Sequence, residues 1–133
     1  MRIGIIIISI GVLLISCNRN EVQPSMIADG TYTGEFHRSS PIADYQPARV
    51  TLVFKGNKFE GESSIVKYPA ICRGTYNGEG TQIEFENLCI WTAEFDWSFI
   101  LSGKFDISTT GDLITIKRSY GEGIYDTYTL RKN

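Results

Sequence analysis

Histidine is almost missing from this 133-residue sequence: only His37 is present. No cysteine or carboxylate stands near it at a motif spacing, so neither a zinc-ligand pattern nor a nucleophile–histidine pair can be drawn around it, and it reads as a loop residue. Basic residues are in deficit, with 13 Lys and Arg against 15 Asp and Glu and a formal net charge of −2. That balance excludes a nucleic-acid partner, which needs a basic stripe. Ser63-Ser64 lacks the flanking glycines of a nucleophile elbow. The glycine clusters at Gly78 to Gly80 and Gly121 to Gly123 precede no helix and cannot cradle a dinucleotide. No apolar run reaches the roughly 20 residues of a membrane-spanning helix. No cofactor and no metal are implied, and no pattern points to an enzyme.

What the sequence does have begins at its N-terminus. Met1-Arg2 forms a short positive region, and Ile3 to Ile15 is an almost unbroken apolar run of about a dozen residues, the size of a secretory core segment. Leu14-Ile15-Ser16-Cys17 resembles the lipobox of bacterial lipoproteins. That resemblance implies that residues 1–16 are a signal peptide and that Cys17 becomes an acylated N-terminus. Each buried methylene of such chains contributes about 0.8 kcal/mol, so several chains give a durable membrane anchor. An ordinary secretory leader with an incidental Cys17, or an uncleaved helix, is the competing reading. Residues 17–28 read as the lipidated cysteine and a flexible polar tether. Asn18 in place of Asp lacks the feature that resembles an inner-membrane retention signal, so the expected location is the outer membrane of a Gram-negative envelope.

Only Cys72 and Cys89 remain, an even pair in an exported chain, and a disulfide is expected between them. Closing that loop would contribute roughly 3 kcal/mol in the chain-entropy picture. Two buried thiols, or half of a metal site, are the alternatives.

From residue 29 to 133 alternation dominates, and turn residues punctuate it at intervals suited to short antiparallel strands. Tyr32, Gly34 and Phe36 share one face, as do Val50, Leu52 and Phe54. Gly56-Asn57 is a hairpin signal that sends Phe59 to Ile65 back as a partner. Ile71 to Tyr76 and Thr81 to Leu88 flank Asn77-Gly78-Glu79-Gly80. Trp91 to Phe95 reads as a short strand, and Phe99, Leu101, Phe105 and Ile107 alternate around Gly103. Leu113 to Arg118 and Ile124 to Leu130 follow further turns. His37 to Pro47, with Pro41 and Pro47, reads as a long loop. The expected fold is all-β, a single domain of about eight or nine strands closing into an up-and-down barrel, with an open sandwich as the second choice. Gly34, Gly74 and Gly103 are expected where closure bends the sheet.

Asp29-Gly30-Thr31-Tyr32-Thr33-Gly34 opening such a meander behind a lipobox resembles the small lipocalin-like lipoproteins of Gram-negative bacteria. Phe85-Glu86-Asn87-Leu88-Cys89-Ile90-Trp91, Phe95-Asp96-Trp97-Ser98 and Leu101-Ser102-Gly103 add to the likeness, with Tyr32 where lipocalins carry tryptophan. The resemblance implies a lipid-anchored, non-enzymatic binding module for a small apolar ligand or a partner protein. Tyr32, Trp91, Phe95, Trp97 and Phe99 are the candidate ligand-binding residues, although aromatics in a small barrel also serve as core. Glu79, Glu84, Glu86, Glu94 and Asp96 form an acidic stretch, read first as a solvated face. Tyr120, Tyr125 and Tyr128 are expected to pack or to cap strand ends. The alternatives are an inhibitor of a hydrolase such as lysozyme, whose family's Ser-Gly-x-x-Tyr stretch is partly echoed by Ser102-Gly103-Lys104-Phe105, or a structural accessory of an outer-membrane complex.

The lipobox reading has a direct test. Cys17→Ala should move the protein out of the membrane fraction on cell fractionation, and a variant that still pellets with membranes refutes acylation at this residue.

Overall fold

The computed structural model describes residues 26–92 and 94–133. The expected signal peptide, the expected lipidation site Cys17 and the expected tether up to residue 25 lie outside them.

Alternation becomes eight strands: β1 (Gly30–Ser39), β2 (Ala48–Lys55), β3 (Lys58–Ser63), β4 (Arg73–Glu79), β5 (Gln82–Asn87), β6 (Gly103–Thr110), β7 (Leu113–Gly121) and β8 (Ile124–Lys132). Each pairs antiparallel with its sequence neighbour, and β8 returns to pair with β1, so the sheet closes into an up-and-down barrel. Closure leaves no open edge to template association. The open sandwich is thereby set aside.

The pleat sends every second side chain inward. Tyr32 and Phe36 of β1, Val50, Leu52 and Phe54 of β2, and Tyr128 and Leu130 of β8 are all buried. Outward positions carry Glu35, Glu60, Glu84, Glu86, Lys104, Asp106 and Arg131, all exposed. That is the reverse of the apolar-out pattern of a membrane-spanning barrel. Gly34 and Gly74 mark places where neighbouring strands approach too closely for a side chain. A Cβ would overlap the Thr129 carbonyl oxygen at Gly34 and that of Glu86 at Gly74. Gly103 differs from expectation: it begins β6, with φ +90°, rather than lying inside a strand.

The interior is filled rather than hollow. A column of ring contacts runs Tyr32, Phe54, Tyr76, Phe85, Phe105, Tyr128, Phe36 and Phe99, with centroids 4.8 to 6.2 Å apart. All of these contacts are edge-to-face or tilted, and such pairs contribute about 0.5–1.5 kcal/mol each beyond area burial. Leu52, Ile83, Ile116 and Leu130 fill the space between, each at most 1% exposed.

The two ends differ. At the turn end, Gly56-Asn57, Gly80-Thr81 and Gly111-Asp112 make tight hairpins, with φ of +58°, +63° and +62° at the three glycines. The chain also enters here. Ile27 is 2% exposed, the Tyr32 hydroxyl donates to Ala28 O at 2.8 Å, and Asp29 Oδ1 accepts from Gly56 N at 2.8 Å. The segment after Met26 thus stoppers this end.

The loop end carries the 40–47, 64–72 and 88–102 connections and the Gly121–Ile124 hairpin. Cys72 and Cys89 form a disulfide joining two of these loops, with Cα atoms 6.3 Å apart. Ala70 N donates to Phe99 O at 2.9 Å and Leu101 N to Ala70 O at 3.0 Å, tying the same two loops.

Three expectations are corrected at this end. His37 is a strand residue, since β1 continues to Ser39 by pairing with β8. The irregular stretch therefore begins only at Ser40. Trp91 to Phe95 holds no strand among its described residues: the Asn87 amide folds onto Cys89 O at 2.8 Å, and a 3-10 turn over Trp97–Phe99 is capped by Asp96. These local bonds satisfy backbone groups that a strand would have offered to a neighbour. Ile71 and Cys72 precede β4 rather than opening it.

Candidate functional site

The loop end is built around two charges that the barrel buries. Arg38 continues the inward phase of Tyr32, Gly34 and Phe36, and Asp126 shares the inward phase of Tyr128 and Leu130. They are 5% and 2% exposed, and the register places them opposite one another across the β1–β8 seam. The guanidinium fork meets the carboxylate bidentately, with Nε to Oδ1 at 2.6 Å and Nη2 to Oδ2 at 2.8 Å. Planar two-point pairing is what arginine supplies and lysine cannot.

The remaining Arg38 donors reach into the 88–102 loop. Nη1 donates to Ser98 Oγ at 2.9 Å and to Asp96 Oδ2 at 3.3 Å. The guanidinium carbon also lies 3.8 Å from the Phe99 ring centroid and 4.9 Å from that of Tyr120. Arg118 holds the same loop from β7, donating from Nη1 to Ser102 O at 2.7 Å and from Nη2 to Ser98 O at 3.3 Å. The Tyr120 hydroxyl accepts from Arg118 Nη2 at 2.6 Å and has Asp126 Oδ2 and Ser98 O within donating reach, at 2.8 and 2.9 Å.

Electrostatics follow from this geometry. Burial works against the Arg38 charge, but the hydrogen bond and charge of Asp126 outweigh it and hold the guanidinium above the ordinary arginine range. The Ser98 hydroxyl holds the Asp96 carboxyl below the usual carboxylate range, assisted by the Ser98 amide and Arg38. Burial raises Tyr120, and its bond to Asp126 adds to the rise, while burial raises Tyr128 strongly. The arrangement is a clamp: its donors are spent on protein acceptors, and it presents no nucleophile paired with a base. His37 lies apart, with Nε2 3.1 Å from Tyr45 O. Among the described residues no group of three His, Cys, Asp or Glu side chains converges as a metal site.

The candidate ligand-binding residues do not form one site. Tyr32 is buried at the turn end, 3% exposed, with its hydroxyl on Ala28. The other four belong to the loop end. Phe99 packs on the core beneath Arg38. Trp91, Phe95 and Trp97 form a small ring cluster, with Trp91–Phe95 centroids at 6.0 Å and Phe95–Trp97 at 6.3 Å, and Lys67 Nζ 4.9 Å from the Phe95 centroid. The indole nitrogen of Trp91 is buried without a hydrogen-bond partner. Of the three tyrosines, Tyr128 is core, Tyr120 joins the clamp, and Tyr125 is exposed beneath Lys117 Nζ at 4.3 Å. Glu79, Glu84 and Glu86 are exposed on the wall, as a solvated face requires, whereas Asp96 is recruited by Arg38.

Sequence reasoning missed Arg38 and Asp126, although a signal was there. Each is a charge standing in step with an apolar stripe, where alternation predicts burial.

A second feature of this end is its exposed apolar surface. Ile42, Ile65, Val66, Leu88, Ile90, Trp97, Tyr120 and Tyr125 are the exposed large hydrophobics among the described residues, and all belong to the loop end. Ile42, Val66 and Ile90 are 88, 86 and 91% exposed. Among the described residues the turn end carries none.

Two outcomes follow from the clamp. Asp126→Ala strands a buried guanidinium and should cost about 3–5 kcal/mol by urea denaturation, whereas pairing it with Arg38→Met should recover most of that loss. Equal destabilisation by both variants overturns the buried-charge account. In alkali, the unfolded chain ionises its tyrosines near the ordinary value of 10.0, while Tyr120 and Tyr128 stay protonated in the fold. Stability is therefore full below that pH and declines as pH rises through the folded-state values. Thermal melts should show this decline, and Tyr128→Phe should flatten it.

Comparison with protein-family models, with curated proteins and with solved structures gives no match to this chain.

Proposed function

We propose that this protein is a lipid-anchored, non-enzymatic module of the bacterial envelope that binds another protein through the loop end of its barrel. The observation that carries this reading is the concentration of exposed apolar side chains on the loops opposite the end where residues 26–29 enter. An anchor preceding Met26 tethers one end and leaves the other free to meet a partner. Scattered single hydrophobics need no explanation, but a cluster confined to one end of a monomer is the mark of an interaction surface. Trp97 and Tyr120 supply large rigid contact area of the kind that anchors protein interfaces.

The filled interior favours a protein partner over a small apolar ligand, because the aromatic column occupies the space such a ligand would need. The loops also carry the acids Asp44, Glu94, Asp96 and Glu122 against the single base Lys67. Complementarity then calls for a partner whose apolar patch is rimmed by basic groups. An inhibitor of a basic hydrolase such as lysozyme is the narrower version of this reading and draws on the same acidic rim. The Ser102-Gly103-Lys104-Phe105 stretch lends it nothing, since Phe105 is core at 3% exposed.

Photo-crosslinking in intact cells tests the proposal. A photoreactive residue in place of Ile42, Val66 or Ile90 should yield a discrete adduct of protein mass, and the same residue at Asn57 or Asp112 of the turn end should not. Adducts from both ends alike, or a stoichiometric small molecule retained by the unmodified protein in native mass spectrometry, would count against it.

A further inference from the structure

The polar outer wall is interrupted across β2, β3 and β4. Register sets Val53 opposite Glu60 and Glu60 opposite Arg73, and the Leu88 amide donates to Arg73 O at 3.0 Å, so Leu88 continues the row. The adjacent row sets Lys55 opposite Lys58 and Lys58 opposite Thr75. Between these rows lies a depression of about 410 Å³, floored by Val53, Leu88, Gly74 and an edge of Phe59.

Its charges are poorly compensated. Lys55 and Lys58 face each other directly across a two-residue turn, an arrangement that opposes strand pairing unless something neutralises it. The ion pairs among the described residues engage Arg38 and Arg131, and none engages Lys55, Lys58 or Arg73. Glu60 lies in the same depression yet pairs with none of them. Three unpaired cations therefore border an apolar floor, with Leu88 56% exposed.

We propose that this groove binds an anionic phospholipid, its phosphodiester held by Lys55, Lys58 and Arg73 and one acyl chain lying over Val53 and Leu88. Three donors spread around the depression match a head group with several oxygens better than the two oxygens of a fatty-acid carboxylate. The position agrees with a membrane ligand. Lys55 and Lys58 flank a turn at the end where residues 26–29 enter, and, resting here on the anchored reading proposed above, cations at that end would gain from the negative potential of an anionic leaflet. The assignment does not depend on the loop-end partner, and the test below reads neither crosslinks nor inhibition.

The full chain in neutral detergent is offered equal amounts of phosphatidylglycerol and phosphatidylcholine and weighed by native mass spectrometry. Phosphatidylglycerol adducts should predominate. The triple variant Lys55→Gln, Lys58→Gln, Arg73→Gln should lower them by about tenfold or more, as expected for three cations removed from an anionic head. Its thermal midpoint should stay near that of the parent, because all three side chains are exposed. A matched loss of charge elsewhere, Arg49→Gln, Lys104→Gln and Lys117→Gln, should leave the adducts intact. Equal binding of the two lipids, an unchanged triple variant, an equal loss in the control variant, or displacement of the lipid by equimolar laurate overturns the proposal.

Discussion

The bidentate contact between Arg38 and Asp126 is the constraint around which this barrel is organised. A meander becomes a barrel only when its last strand finds its first, and here the β8–β1 seam is marked by a buried ion pair at a matched register position. Desolvating two charges costs several kcal/mol per ion, and their attraction offsets that cost only when the geometry is good and the remaining donors are satisfied. Both conditions hold, since Arg38 also bonds Ser98 and Asp96. A one-residue slip of β8 against β1 would turn Asp126 outward and leave Arg38 buried alone. The pair therefore penalises wrong registers more than it rewards the right one.

From that pair the long 88–102 connection gains its shape. Its described residues form no strand, yet it is held from β1 by Arg38, from β7 by Arg118, and from the 64–72 loop by the disulfide and the Ala70 bonds. These restraints fix a surface that would otherwise be a mobile linker. Ile90 and Trp97 can then stand in water on a rigid support. A preorganised apolar surface loses less entropy on binding a partner than a flexible one.

Much of this was legible in the residues. Gly56-Asn57 predicted a hairpin because that pair tolerates positive φ, and the turn is there. Period-two alternation in β2 and β8 predicted which side chains turn inward, and the disulfide expected between Cys72 and Cys89, the two cysteines left once Cys17 is read as the lipid attachment site, is present. Other features were not legible. The loss of a strand at Trp91 to Phe95 came from local capping by Asn87 and Asp96, which competes with sheet pairing without altering hydrophobic pattern. Tyr32 stands where lipocalins carry tryptophan and joins the candidate ligand-binding residues on that resemblance, but the up-and-down path places the start of β1 and the 88–102 loop at opposite ends. His37 reads as loop because prolines follow it, yet β8 is long enough to keep it paired with Thr127.

By itself the sequence determined the strand class, the hairpin positions and the inward and outward faces, because each rests on local chemistry within a few residues, while the cysteine pair was expected by elimination and is joined in the fold across 17 residues. Only the tertiary structure decided that the barrel is filled, that Arg38 meets Asp126, that Lys55, Lys58 and Arg73 border one groove, and that the exposed apolar side chains gather at one end. Those facts depend on register and closure, which bring together residues as far apart as positions 38 and 126. No local pattern encodes that distance in the chain.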